Sequence, residues 1–391
     1  MSITADLLLT PLEVATGAPL GADPAAPSLP MPRPGGPVAA LEHSVLGALL
    51  RPPCVVSFSG GRDSSAILAL ATSLARRQGL ELPVPVTLRF PASPDTDEDA
   101  WQERVIDHLG LTEWVRIELS AELDLIGPVA VELLQRHGLI WPPNTHFHQP
   151  ILEVAKGGAI LTGIDGDGVF ASWRYQRIAS VLSGRLRPTP RDAQRLLTVL
   201  SPGPLRRAAQ RRRPTTSLSW LLPSTMAAAV EAWSSYGATE PARWDRRVEW
   251  YSKMRSLRMV LQGFGLLADD ADVRAVHPLA DPGFLAALAE AGGWSGFAGR
   301  TAIMRHLFAD ILPEDVLSRA SKARMNGPFW NEPSRAFIAD WAGEGDTELI
   351  DVSALRAEWS KSEPHACTSS LLQAAWLARH GPPGGVVTAD A

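Results

Sequence analysis

Residues 54–65 read CVVSFSGGRDSS, a short apolar run followed directly by two glycines and a cluster of hydroxyl side chains. The apolar part, 54–58, is rich in β-branched residues and predicts a buried strand. The next residues, from Ile67 to Leu74, repeat apolar side chains at helical spacing and lead to Arg76 and Arg77. We therefore expect a strand, a tight turn and a helix in immediate succession.

The turn between this strand and this helix has the composition of an oxyanion site. Gly60 and Gly61 permit a sharp bend, and the exposed N–H groups of the turn attract phosphate together with the positive end of the helix dipole. Ser59, Ser64 and Ser65 can donate further hydrogen bonds. The pattern indicates a loop that binds the phosphates of a nucleotide.

Asp63 adds a carboxylate to this loop. Phosphate would repel it unless a cation lay between them, so its presence implies Mg²⁺. The loop lacks the lysine and the spacing of a Walker motif, so cleavage between the β and γ phosphates is not expected. A simple Gly-Gly turn capped by Ser and Asp is the alternative, but the preceding strand and following helix favour nucleotide binding.

Further strands and helices alternate after this unit. Strand patterns occupy 84–90, 114–119 and 159–162, and helical patterns occupy 97–109 and 151–156. Such alternation is typical of an α/β fold with a parallel sheet and helices on its faces. Beyond residue 162 strand signals largely stop, so the remainder is predicted to be mainly helical.

We predict five segments along the chain: a Pro/Ala/Gly-rich arm, an α/β nucleotide-binding core, an Arg/Pro-rich surface segment, a helical part that completes the site, and a C-terminal helix with a tail. Their bounds are 1–40, 41–184, 185–215, 216–345 and 346–391. The Arg-rich segment is either a solvated surface or a patch that binds an acidic partner, and both interpretations stay open.

The composition argues against several functions. The 391 residues carry a formal net charge of −5, which gives no global attraction to nucleic acid or to a membrane surface. No apolar run of about 20 residues predicts a membrane span. Two cysteines, Cys54 and Cys367, cannot form a disulfide framework, and the N-terminus has no signal-peptide pattern. We expect a cytoplasmic enzyme that binds neither nucleic acid nor membrane.

The loop from Ser59 to Ser65 resembles the SGGxDS loop of the ATP pyrophosphatases, and residues 40 to 340 are similar to the synthetase domain of the asparagine synthetase family. This resemblance implies a core of the PP-loop type, with an adenine nucleotide alpha hydrolase-like fold, followed by a helical C-terminal part. It also implies ATP and Mg²⁺ as cofactors, adenylation of a carboxylate, release of pyrophosphate and attack by an amine.

A second acidic loop of that family has its counterpart at 161–170, which read LTGIDGDGVF. The resemblance places Gly163 at the nucleotide and makes Asp167 a second metal ligand beside Asp63. The family commonly has acidic residues where Ile164 and Gly168 stand here. Asp165, adjacent to the first of these positions, is therefore the candidate for accepting the proton of the amine.

The resemblance extends to a lysine near the end of the helical part. Lys322 takes the place of the family's active-site lysine and is expected to stabilise the charged transition states. Arg274 and Asp281 lie in a segment that shapes the pocket, as a buried ion pair or as substrate contacts. His146 and His148 are further candidates for accepting the amine proton, although a structural role is favoured for both.

Complete asparagine synthetases begin with a glutaminase domain, and the arm of 40 residues is too short to contain one. We expect the amine to come from free ammonia, a separate glutaminase, a small amine or the substrate itself. β-Lactam synthetases and lasso-peptide cyclases are relatives that use an amine of the substrate. The substrate is then a small-molecule or peptide carboxylate, and a carrier protein or a leader peptide is a further candidate partner.

The predicted function is amide-bond formation by an ATP-dependent ligase, in specialised or peptide natural-product biosynthesis such as macrocyclisation. Ammonia-dependent amidation is one alternative. A degenerate nucleotide-binding scaffold is another, supported by Ile164 and Gly168. A tRNA-modifying ATP pyrophosphatase is disfavoured by the acidic charge and by the absence of Cys-x-x-Cys pairs.

Overall fold

The structure is a computed structural model that describes residues 8–171, 173–212, 218–321, 323, 326–345 and 347–381. In this part of the chain, five short strands form one parallel sheet in the order β3-β2-β1-β4-β5. The strands are β1 (Cys54–Ser57), β2 (Val84–Arg89), β3 (Val115–Glu118), β4 (Ala159–Leu161) and β5 (Arg274–Val276). The predicted α/β fold with a parallel sheet is confirmed.

The described helices precede, connect and follow these strands. They are α1 (Pro11–Thr16), α2 (Gly36–Leu49), α3 (Arg62–Gln78), α4 (Asp99–Leu109), α5 (Pro128–His137), α6 (Gln149–Val154), α7 (Gly166–Val169), α8 (Gln176–Leu182), α9 (Pro190–Leu200), α10 (Gly203–Arg211), α11 (Pro223–Gly237), α12 (Trp244–Ser252), α13 (Arg255–Asp270), α14 (Pro282–Gly292), α15 (Arg300–Phe308), α16 (Glu314–Ser318), α17 (Glu332–Asp340), α18 (Val352–Trp359) and α19 (Ser369–His380). Short 3₁₀ turns occupy Pro94–Thr96, Thr145–His148, Pro278–Ala280, Gly327–Phe329 and Ala366–Thr368.

Alternating residues of the strands pack against helices on both faces of the sheet. Val56 of β1 belongs to the apolar cluster that contains α2 and α3, where Ile67 is fully buried. Val55 instead packs in the cluster with α6 and α13, to which Phe264 belongs. A parallel sheet covered on both faces needs continuous apolar strands, which explains why 54–56 show no polar residue.

The order of the strands places a crevice beside β1. From β1 the chain moves outward through β2 to β3, and it then returns to the other side of β1 to form β4. In open α/β sheets, ligands bind outside the carboxyl ends of the strands at such a reversal of strand order. The loops that follow β1 and β4 carry the sequence motifs, so the fold brings both motifs to this crevice.

Two features differ from the sequence pattern. β5 is a strand of three residues that the pattern does not predict, because Arg274–Val276 lacks an apolar run; pairing with β4 makes it a strand. The helix α2 begins at Gly36, so the boundary predicted at residue 40 lies inside a helix. Among the described residues no helix has both the length and the apolar character needed to cross a membrane.

Candidate active site

The turn after β1 is organised by two serine hydroxyls. The side-chain oxygens of Ser59 and Ser64 are 3.0 Å apart, and Ser64 Oγ donates to the carbonyl of Gly61 at 3.1 Å. The N–H of Ser65 donates to the same carbonyl at 3.0 Å, which starts α3. The turn is thereby held in shape by its own hydrogen bonds, while the first N–H groups of α3 have no acceptor within the helix.

The neighbouring helix and a distant arginine support the turn from outside. Gly60 has a φ of +78°, and a Cβ atom there would lie 2.7 Å from Cγ of Gln102. The side-chain amide of Gln102 donates to the carbonyl of Ser59 at 3.2 Å. Arg319 donates to the carbonyl of Gly60 at 2.9 Å and forms a buried ion pair with Glu98. Only glycine fits at position 60, because both the backbone angle and the space exclude a side chain.

The loop after β4 lies directly against the start of α3. A Cβ atom at Gly163 would be 2.7 Å from the backbone nitrogen of Ser64 and 2.9 Å from the carbonyl carbon of Asp63. Next to it, Thr162 Oγ1 is 2.7 Å from Nδ1 of His277, whose pKa is lowered by burial to about 4. The two sequence motifs therefore meet at the predicted place, and their contact requires a glycine.

One arginine joins the two predicted metal-binding carboxylates. Arg300, the first residue of α15, donates from Nη2 to both carboxylate oxygens of Asp63, at 2.7 and 2.6 Å. Its Nη1 contacts the carboxylate of Asp167. The guanidinium thus lies between the carboxylates that the sequence analysis assigned to Mg²⁺.

These groups surround a cavity of about 360 Å³. Backbone and hydroxyl donors line one part of it, and two guanidinium groups, two facing aspartates and apolar atoms line the rest; the lining residues are Ser57, Ser59, Gly61, Arg62, Asp63, Ser64, Glu98, Phe147, His148, Thr162, Gly163, Ile164, Asp167, Arg300, Ala320 and Ser321. Hydrogen-bond donors beside carboxylates suit a polyphosphate together with a cation.

The donor set fits Mg²⁺ only in the presence of phosphate. No group of three or more metal-binding side chains occurs among the described residues, so the protein alone offers no complete cage. Mg²⁺ characteristically takes one or two carboxylates, substrate phosphates and water. Asp63 and Asp167 both contact the guanidinium of Arg300, so their carboxylates face the same space and could both approach a cation there.

Residues 39–292 match the asparagine synthase family, a range that spans all five strands and more than half of the chain. The chain belongs to the asparagine synthase family. Membership supports ATP binding and ATP-dependent ligase activity in general terms. A comparison with curated proteins found no significant match. Arg300 and Lys322 lie beyond the matched range.

This member of the asparagine synthase family buries the carboxylate of Asp165. The residue has a φ of +80°, and its carboxylate accepts a hydrogen bond from the hydroxyl of Tyr251. Burial raises the pKa of Asp165 to about 8, against the opposing effects of Tyr251 and Arg247. Asp165 is not among the residues that line the cavity, but it lies close enough to Asp63 of the nucleotide loop for that carboxylate to help raise its pKa.

Tyr251 also explains the glycine at position 168. A Cβ atom at Gly168 would lie 1.7 Å from the hydroxyl of Tyr251, so the glutamate common in the asparagine synthase family would not fit. The phenol occupies that space and covers Asp165. The substitution of glycine for glutamate is therefore matched by a tyrosine from α12.

The two candidate histidines are both buried. His146 donates from Nε2 to the carbonyl of Leu123 at 3.0 Å and does not line the cavity. His148 does line it, but burial lowers its pKa to about 3. An imidazole with that pKa is a weak base at neutral pH, and burial lowers the pKa of His146 as well, so both histidines are poorly suited to the role of proton acceptor.

Three further residues, Lys322, Arg274 and Asp281, were predicted to lie at or near the pocket. Lys322 lies outside the described residues, although its neighbour Ser321 lines the cavity and the N–H of Ala323 donates to Glu98 at 2.7 Å. Asp281 caps α14 through the N–H of Phe284 at 3.0 Å. No ion pair joins Arg274 to Asp281 in the described part of the chain, and neither residue lines the nucleotide cavity.

Three arginines lie near the loop that were not predicted from the sequence to belong to the site. Arg62 and Arg300 line the cavity, and Arg319 supports Gly60 from below. Arg62 lies within the motif and could have been recognised as a phosphate-facing cation. Arg300 and Arg319 are separated from the loop by more than 230 residues, and a single sequence holds no signal of that proximity.

Proposed function

We propose that this protein adenylates a substrate carboxylate with ATP, releases pyrophosphate and transfers the acyl group to an amine. The observation that supports the proposal best is the meeting of Asp63, Asp167 and Arg300 around the glycine-rich turn. A loop with that cation and those carboxylates suits a pyrophosphate leaving group. The proposed setting is specialised or peptide natural-product biosynthesis.

The turn from Ser59 to Ser65 would bind the phosphates of ATP through its N–H groups and hydroxyls. Asp63 and Asp167 would hold Mg²⁺, which neutralises charge on the departing pyrophosphate when it is bound. Arg300 would then move from the carboxylates towards the phosphates, since a guanidinium pairs with either anion. Gly163 would allow the second loop to lie against the nucleotide.

In the first step an oxygen of the substrate carboxylate attacks the α-phosphorus and pyrophosphate leaves. In the second step the amine nitrogen attacks the acyl carbon and AMP leaves. Lys322 would stabilise negative charge in both steps, and positioning of the amine supplies much of the remaining rate. Asp165 is the proposed acceptor of the amine proton, because a carboxyl group with a pKa of about 8 can exchange a proton near neutral pH. The substrate would first have to displace the hydroxyl of Tyr251 from the carboxylate of Asp165.

The first experiment measures AMP and pyrophosphate from ATP and Mg²⁺ with a panel of carboxylates and amines. The amines include ammonia, so amidation from free ammonia is distinguished from ligation to an amine of the substrate. Asp63→Ala and Lys322→Ala are expected to lower pyrophosphate release by about 100-fold or more. Asp107→Ala and Lys156→Ala change exposed residues of the same types and should leave it unchanged.

Each outcome assigns a function. Formation of AMP and pyrophosphate by the unchanged protein, with loss in both site variants, supports the ligase, and the stimulating pair identifies the substrates. Binding of ATP without turnover under any condition would instead favour the nucleotide-binding scaffold. Formation of ADP and phosphate would contradict the assignment of the turn to a pyrophosphate-releasing loop.

A further inference from the structure

A second cavity, of about 500 Å³, lies between α8 and α9. Its walls combine apolar side chains with guanidinium groups, and Trp173, Leu186 and Val199 supply much of the apolar part. Volumes of a few hundred Å³ with apolar walls and a few fixed polar groups are typical of ligand sites. No step of the proposed reaction uses this cavity.

A buried carboxylate holds two of the cavity's arginines in place. Asp192, whose side chain is 5 % exposed, accepts from Nε and Nη2 of Arg177 at 2.7 and 2.8 Å and from Arg195 at 2.9 Å. The side chains of Arg177 and Arg195 remain 37 % and 51 % exposed. Because a guanidinium has five N–H donors, each retains donors for a second acceptor.

A third arginine faces the cavity without an anionic partner. Arg185 donates to the carbonyl of Gly296 at 2.5 Å and to Ser295 Oγ at 3.1 Å, both of which are uncharged acceptors. Within the described ranges, no carboxylate forms an ion pair with it. The cavity therefore has a surplus of positive charge held by fixed side chains.

The surroundings repeat this combination of positive charge and apolar surface. Residues 185–212 contain eight arginines and a single carboxylate, Asp192, in a chain with a net charge of −5. Four leucines of this segment are exposed to solvent, Leu186, Leu197, Leu200 and Leu205, and so is Leu182 just before it. Exposed apolar side chains gathered in one region mark a binding surface more often than scattered ones do.

We propose that this cavity binds an acidic and partly apolar segment of a peptide. A bare phosphate would use the arginines alone, and an uncharged apolar ligand would use only Trp173, Leu186 and Val199. A peptide with Glu or Asp beside Leu-type side chains would use both sets. A membrane surface fits less well, because the cavity is concave and membrane-binding helices present a convex apolar face.

The position of the cavity makes this peptide a part of the substrate. Ala298 lines the cavity, and it precedes Gly299 and Arg300, which begin the helix that reaches Asp63. Gln176, also in the lining, has its side-chain nitrogen 3.2 Å from where a Cβ of Gly299 would be. The assignment to a substrate rests on the proposed ligase function, but the binding itself does not.

The test measures binding without ATP, by fluorescence anisotropy with a short labelled peptide that alternates leucine and glutamate. Leu186→Glu adds a negative charge at the rim without removing a hydrogen bond, and Arg195→Gln removes one guanidinium. Each is expected to weaken binding by about tenfold. Leu50→Glu and Arg33→Gln are the matched controls, since both residues are exposed and lie outside both the cavity lining and the arginine-rich segment.

Further probes separate the proposal from its competitors. A peptide with glutamine in place of glutamate is expected to bind at least about tenfold more weakly. Equal binding of both peptides, or equal losses in the rim and control variants, would overturn the proposal. Binding of tripolyphosphate or of phosphatidylserine vesicles in preference to the acidic peptide would overturn it too. Thermal unfolding confirms that each variant is folded, and failure of pyrophosphate release leaves this measurement unaffected.

Discussion

Arg300 contacts the two carboxylates that would hold Mg²⁺, so the guanidinium and the metal ion compete for the same oxygens. Without a nucleotide, the guanidinium offsets part of the charge of Asp63 and Asp167. If Mg²⁺ and phosphate bind as proposed, the same side chain would become available to the phosphates.

Arg300→Met should make the protein more responsive to Mg²⁺. The variant is expected to unfold at a lower temperature without the ion, because a guanidinium shared by two carboxylates is lost. Addition of MgCl₂ should raise its Tm more than that of the unchanged protein, since the competing cation is gone. Arg305→Met, on the same helix but in an exposed ion pair with Glu314, is the control. Equal Mg²⁺-induced shifts in all three proteins would contradict the shared-site argument.

The buried carboxyl group of Asp165 should make stability depend on pH. Its pKa is about 8 in the folded protein against an ordinary 3.8, so between these values the folded state keeps a proton that the unfolded state has released. Stability must then fall as pH rises through this window, by up to about 1.4 kcal/mol per pH unit.

Asp165→Asn removes this dependence and tolerates the left-handed backbone of the position. From pH 5 to pH 8, the Tm of the unchanged protein is expected to fall relative to the Tm of the variant. Denaturation scans across that range measure the effect, and Asp107→Asn provides an exposed control. Parallel pH profiles of the two proteins would show that Asp165 is ionised when folded.

At the scale of the elements, the contact between α3 and the loop after β4 depends on the absence of side chains. Gly163→Ala would place a Cβ atom 2.7 Å from the backbone nitrogen of Ser64, and backbone cannot move aside cheaply. ATP binding is expected to weaken by about tenfold or more, because displacement of the loop separates the two motifs. Isothermal titration with ATP and Mg²⁺ measures this change.

Gly265→Ala is the matched control within the interior of α13. Nothing lies within 4 Å of a Cβ atom at this position, so the substitution should raise stability, as alanine does in a helix, by about 0.5–1 kcal/mol. ATP affinity should remain as it was. A loss of affinity in Gly265→Ala as large as that in Gly163→Ala would disprove the loop-contact explanation.

Some helices and strands could be predicted from the sequence, and others could not. Residues 54–65 predicted β1, the turn and α3 because apolar β-branched residues, paired glycines and helical spacing are all local signals. The placement of Asp167 beside Asp63 came from the resemblance to the asparagine synthetase family, and it agrees with the rule that carboxyl ends of parallel strands share an edge. β5 escaped prediction because its pairing with β4, not its composition, makes it a strand.

The other features that the sequence did not predict also depend on contacts between distant parts of the chain. Arg300 and Arg319 reach the site from helices far along the chain, and their roles depend on how those helices pack. Asp165 was expected at the reaction centre because it is adjacent to the expected position, and the hydrogen bond from Tyr251 that covers its carboxylate was not predictable from the sequence. Long-range packing decides these positions, and one sequence carries no record of it.

At the scale of the whole molecule, the described part of the N-terminal arm, from residue 8, packs against the rest of the protein. Glu13 of α1 is 2 % exposed and forms an ion pair with Arg255 at 3.0 Å, at the start of the helix beneath the sheet. Ala15 accepts the indole N–H of Trp220 at 2.9 Å. The arm therefore connects α13 with the C-terminal helical part, because Ala15 and Trp220 pack together in a further apolar cluster that also contains residues of α17, α18 and α19.

Glu13→Gln should destabilise the entire protein because it removes the buried carboxylate that pairs with the guanidinium of Arg255. We expect a loss of about 3 kcal/mol or more in the free energy of unfolding, measured by urea denaturation. Glu314→Gln, which breaks the exposed pair with Arg305, should cost at most about 1 kcal/mol.

Burial raises the pKa of Glu13, but the hydrogen bonds from Arg255, Thr10 and Leu20 outweigh this effect and hold that pKa below the ordinary 4.5. The ionised carboxylate of Glu13 therefore contributes its full stabilisation above pH 4.5, and this contribution declines as pH falls through the lowered pKa. The loss of stability in Glu13→Gln should consequently become smaller on acidification. A loss that stays constant from pH 7 to pH 3 would show that the lost stability does not come from the ionised carboxylate.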